Sequence, residues 1–154
     1  MSPPSFAKRA GLAALLLAAW LAGPAAAADA SAALRCTVTW GATSSVVKTY
    51  RLERDAGRVT ADGAFLFSTT GATQRGERST TVRTIEIWTD AELILRAEHN
   101  TPSGRNLIIR NIIDLKTLAT RTTTAMIIAG QTPSPREHQG TCAWVETPPP
   151  PGKG

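Results

Sequence analysis

Histidine, cysteine and tyrosine are scarce in this sequence, with two, two and one in 154 residues beside four tryptophans and three phenylalanines. The scarcity narrows the chemistry the chain can carry. There is no Gly-x-Ser-x-Gly elbow, no phosphate-cradling glycine loop and no His-x-x-x-His pair, and neither histidine has further ligands at metal-binding spacing. No catalytic residue, metal or cofactor is therefore assigned. Serine and threonine are plentiful, but threonine is favoured on strand surfaces, so its abundance singles out no nucleophile. A membrane-spanning run is lacking too: "LAALLLAAWLA" at 12–22 is too short to cross a bilayer comfortably.

That apolar run instead reads as the core of an export signal. Lys8 and Arg9 form a basic start, Gly23 and Pro24 break the run, and Ala26 and Ala28 satisfy the small-residue cleavage rule, which sets cleavage after Ala28. No cysteine near the site offers lipid attachment, and the Lys8-Arg9 pair is not a twin-arginine signal. The reading is a periplasmic or extracellular protein with no membrane span after cleavage. Removing residues 1–28 takes away two bases and no acid, so 17 basic and 12 acidic residues become 15 and 12, an excess of about +3. With export, that modest balance argues against nucleic acid as a partner and leaves an anionic envelope component or another exported protein.

Both cysteines survive cleavage and lie near opposite ends, in "LRCTVTW" and "GTCAWVE". In an exported chain this predicts a Cys36–Cys142 disulfide. Closing a loop of about a hundred residues removes denatured-state entropy worth roughly 4–5 kcal/mol in the chain-entropy model. Strand alternation sets Cys36 on one face with Val38 and Trp40, and Cys142 with Trp144, which offers both tryptophans as neighbours of the bridge.

Between the cysteines, short alternating segments are separated by turn residues, with no internal repeat. In "SVVKTYRLER", Val46, Tyr50 and Leu52 share a parity. Asp55-Ala56-Gly57 and Asp62-Gly63 turn the chain, "AFLFSTT" sets Phe65 and Phe67 on one face, and 71–78 reads as a polar loop. "TTVRTIEIW", "ELILRAE", "NLIIRNIID" and "LATRTTTAMII" follow as the main apolar strands. The second of these is ambiguous, because Thr89 and Glu92 have capping-box spacing ahead of good helix formers, although alternation favours a strand. "AGQTPSPREHQG" reads as a surface loop, and "TPPPPGKG" as an exposed polyproline tail. The domain plan is a signal at 1–28, one β domain at 29–146 and a tail at 147–154.

The expected fold is all-β: an antiparallel meander of seven to nine strands forming a small barrel or sandwich, its first and last strands joined by the disulfide. The export signal, the terminal cysteines and "IIDLKTLATRTTT" resemble small exported bacterial β-meander proteins of unknown function. In architecture the chain is also similar to periplasmic lysozyme inhibitors, which join early and late strands by a disulfide. Their Ser-Gly-x-x-Tyr loop is absent, since Ser103-Gly104 is followed by Arg105, Asn106 and Leu107. That resemblance carries no inhibitory residue across.

Three functions are weighed. The first is a non-catalytic binding or envelope-associated module, whose candidate surface is Arg75, Arg78 and Arg83 with Trp88, the tryptophan standing either as a core plug or as an exposed contact. The second is a carrier of a small apolar ligand in a lipocalin-like barrel, distinguished by an interior cavity of a few hundred cubic ångströms with an open mouth. The third is a hydrolase using His99 and His138, each beside a glutamate and each set in or beside a loop.

Overall fold

The computed structural model describes residues 31–145; the leader read at 1–28 and the proline tail at 147–154 lie outside the described residues. All regular structure among them is β. Ten strands follow in order: β1 (Ala32–Trp40), β2 (Ser44–Glu53), β3 (Arg58–Ala61), β4 (Phe65–Ser68), β5 (Ala72–Arg75), β6 (Thr80–Trp88), β7 (Glu92–Asn100), β8 (Arg105–Asp114), β9 (Ala119–Ile128) and β10 (Arg136–Val145). They form one sheet in the order β4-β3-β2-β1-β10-β9-β8-β7-β6-β5, and a parallel bridge of Ser68 with Thr84 joins β4 to β6. Nine strands thereby close into a barrel. Because β7 takes the other edge of β6, β4 and β5 share one edge: Ser68 meets it at Thr84, and Ala72–Arg75 pair beyond with Arg83–Thr80.

Closure brings β1 and β10 side by side, with Cys36 opposite Cys142 and the disulfide linking them. Antiparallel pairing sends the two tryptophans apart. Trp40 lies beyond the bridge at the far end of β1 and stacks on the His138 ring at 3.9 Å, whereas Trp144 pairs with Leu34 at the other end and is half exposed. Gly140 sits at this seam against Val38, so close that an added Cβ would lie 2.0 Å from the Thr37 carbonyl oxygen.

The Asp62-Gly63 turn has positive φ at both residues (51° and 70°), and the Ala64 amide donates to the Ala61 carbonyl at 3.1 Å, which leaves three residues between the paired Ala61 and Phe65. Asp62 is held there by the Thr49 amide, which donates to Oδ1 at 2.8 Å. Thr89 plays a different part from the helix cap its spacing suggests. Its Oγ1 accepts from the amides of Ala91 and Glu92 at 3.2 and 3.0 Å, closing a tight turn between β6 and β7, and residues 92–100 continue as strand. Asp114 acts similarly after β8, where its carboxylate accepts from the Lys116 and Thr117 amides; these bonds hold its pKa below the ordinary carboxylate value.

The strand ends sort into two barrel ends of unlike chemistry. Around the ends that carry the turns at 54–57, 89–91 and 115–118, inward-facing Leu34, Leu52, Val59, Leu93, Leu95 and Ile113 are buried. Trp88, Leu115 and Leu118 pack against them, and an Arg54–Asp90 ion pair ties two of the turns. This end is closed by its own side chains. At the opposite end, residues on the inward parity are open to solvent: Val46, Phe65 and Met126 are 39, 43 and 49 % exposed.

Candidate functional site

The open end leads into a cavity of about 410 Å³. Inward-facing positions of six strands line it. Ala61, Phe65, Phe67, Ala97, Leu107 and Ile109 supply an apolar wall, and Lys48, Tyr50, Asp62, Thr81, Arg83, His99 and Asn111 supply polar groups. Their placement follows from alternation. Lys48 keeps the parity of Tyr50 and Leu52 in β2, Arg83 that of Ile85 in β6, and Asn111 that of Ile109 and Ile113 in β8, so each polar side chain is carried inward with its apolar neighbours.

Donors predominate. The Tyr50 ring is buried, and burial followed by the charge of Asp62 pushes its phenol above the ordinary value. Asn111 accepts a hydrogen bond from Thr122 through Oδ1 at 2.8 Å, which leaves its amide nitrogen free. Neither that nitrogen, the Tyr50 hydroxyl nor the Lys48 ammonium has a partner among the described residues. The Arg83 guanidinium lies over the Phe65 ring at 4.8 Å and donates to Gln74 Oε1 at 2.9 Å, and desolvation lowers its pKa. His99 Nδ1 is 2.9 Å from Thr81 Oγ1. The single acid, Asp62, is exposed and spends one oxygen on the Thr49 amide.

The candidate surface residues are not brought together. Arg75 closes β5 and points to the outer side with its partner Thr80, Arg78 follows in the exposed turn, Arg83 faces the cavity, and Trp88 packs on the core at the closed end. Both histidines lie within strands and are half buried, where the sequence reading put them in or beside loops. Strand geometry separates each from its neighbouring acid. Glu98 turns outward to Arg96 while His99 faces the cavity, and Glu137 pairs with Arg121 while His138 lies on Trp40. His138 Nε2 is buried with no partner among the described residues.

On the outer wall, Arg110 Nε binds Glu86 at 2.6 Å, and Arg96 contacts Glu86 and Glu98 at 3.5 and 3.0 Å. This shallow cleft is balanced in charge and largely satisfied by its own members. Among the described residues, no group of three or more His, Cys, Asp or Glu could hold a metal ion.

The sequence reading did not pick out Lys48, Tyr50 or Asn111. The available signal was a polar residue standing on the inward parity of an apolar strand, as Asn111 does between Ile109 and Ile113. No protein-family model matches the chain, and comparison with curated proteins and with solved structures gives no match.

Proposed function

We propose that this protein is a non-catalytic carrier or receptor that holds a small molecule inside the barrel. The observation that carries this reading is the 410 Å³ cavity, open at one end and backed by a close-packed core at the other. A water-filled volume of that size corresponds to roughly a dozen water-sized groups, within the usual range of small-molecule sites. Apolar residues at the mouth support it further, because Val46, Phe65 and Met126 remain wet in the free protein and gain from a ligand that covers them. A periplasmic or extracellular setting fits the reading. The disulfide is consistent with an oxidising compartment, and no described helix is long and apolar enough to cross a membrane. A surface-binding module has less support, since Arg75, Arg78, Arg83 and Trp88 share no face.

The test is titration with the neutral fluorescent probe 1-naphthylamine, whose size matches that volume. Saturable binding is expected, and Leu107→Trp and Ala97→Phe, which fill the cavity from two adjacent strands of its wall, should each weaken it at least tenfold with circular dichroism unchanged. Failure of the probe to bind, or equal binding by both filled variants, would refute an interior site.

A further inference from the structure

The polar groups of the cavity are unbalanced in a way that bears on what it receives. Lys48, Tyr50 and Asn111 each present a hydrogen-bond donor with no partner among the described residues, and Arg83 has donors to spare beyond its bond to Gln74. Against these stands one carboxylate, Asp62, at the exposed turn and already accepting from Thr49. Donors held inside an apolar chamber, as the buried Tyr50 and Asn111 are, are poorly served by an apolar ligand, which strips their water and returns no acceptor. A cationic ligand meets Lys48 and Arg83 as like charges. An anionic head group supplies the missing acceptors, and charge-assisted bonds to an ammonium or guanidinium are among the stronger ones available.

We infer that the ligand is an amphiphilic monoanion of about a dozen heavy atoms, its carboxylate-like head received by Lys48 with Tyr50 and Asn111, and its apolar body lying along Phe67, Ala97 and Ile109. The inference rests on the cavity being the binding site. Arg83 completes the arrangement from the mouth. Its guanidinium, stacked on Phe65, adds positive potential at the entrance, and the pair forms a flat cover beside the apolar body. The chamber thus treats the two parts of one molecule differently, which a purely apolar pocket does not do.

The experiment compares ligands that share a chain and differ in the head: decanoate, decanol and decylamine, each displacing the neutral probe from the full exported protein at neutral pH. Decanoate is expected to displace it at about one-tenth the concentration of decanol or less, as one charge-assisted bond implies, with decylamine weakest. Lys48→Met should bring the decanoate-to-decanol ratio close to one, and Lys48→Arg should keep it well above one. Equal displacement by acid and alcohol, or a ratio untouched by Lys48→Met, overturns the anion assignment while leaving the cavity as a binding site. Probe binding that none of the three compounds displaces, or that the cavity-filling variants do not weaken, overturns the interior site itself, so the two failures are distinguishable. Correct folding of the Lys48 variants is read independently from their unfolding midpoints.

Discussion

Removing the Cys36–Cys142 bond should cost this barrel a large share of its stability. The bond joins positions 106 residues apart, so the chain-entropy expression gives a denatured-state entropy loss of about 16 cal/mol/K, or roughly 4.8 kcal/mol at 25 °C. A domain of this size has about 5–15 kcal/mol in all. Residual structure in the unfolded chain takes back part of that figure. The native state adds to the loss: Cys36 and Cys142 are buried, and Cys→Ala leaves unfilled space beside Leu34. The expected net cost is about 3–5 kcal/mol.

Urea unfolding of Cys36→Ala, Cys142→Ala and the double variant measures this. With a slope of about 2 kcal/mol/M, the midpoint should fall by about 2 M in each single variant. The double variant should fall scarcely further, because either substitution alone already removes the bond. The slope itself should rise, since a chain freed of its cross-link exposes more surface on unfolding. Single losses that sum to the double loss, or a midpoint shift below 0.5 M (about 1 kcal/mol at this slope), would refute the assignment of stability to one shared covalent closure.

Tyr50 offers a separate readout as the chain's one tyrosine. Its folded pKa is raised, so stability is complete below the unfolded value of about 10 and is lost as pH climbs above it; phenolate absorbance should appear only together with unfolding, and ionisation at an ordinary pKa in the folded state would contradict its burial. Gly140→Ala should destabilise by about 3 kcal/mol, visible as a lowered thermal midpoint, because the new Cβ meets the backbone of Thr37 and Val38 and one strand must move. An unchanged midpoint would show that the seam is not packed as described.

Much of the fold could be read in the sequence because alternation and turn chemistry agreed. Asp62-Gly63 announced its hairpin, and the two cysteines, read beside an expected export signal, announced the joined ends. The polar strand β5 escaped notice: Ala72-Thr73-Gln74-Arg75 is largely exposed and so carries no apolar alternation, and the stretch 71–78 reads as loop until β6 supplies an edge to pair with. The start of β10 escaped for the same reason, which is how His138 came to be set in a loop. Ile94 broke the alternation of β7 through a cause outside its own segment. A register shift in β6 between Ile85 and Ile87 brings Ile87 opposite Ile94, and Ile94 is buried on the parity that should face solvent. The cavity was the least legible feature, since it depends on which side chains meet across the barrel and on none of them alone.

Its origin can nevertheless be traced to residue size. Eight strands enclose an interior that side chains can just fill, and nine enclose more. At the closed end, leucine and isoleucine on the inward parity meet that demand. Toward the open end the same parity carries Ala61, Thr81, Ala97, Thr122 and Gly140, residues too small to reach across. The strands do not end there, and their backbone pairing continues to the rim, so the void follows from small side chains on an intact wall. The disulfide bears on that wall directly. Cys36 lies opposite Lys48 across β1 and β2 and opposite Cys142 across β1 and β10, so the covalent seam backs the strand that presents the cavity's unpaired ammonium. The proposed small-molecule site needs its polar groups held in place before a ligand arrives, and here the link that closes the chain's two ends also holds the wall that carries the charge.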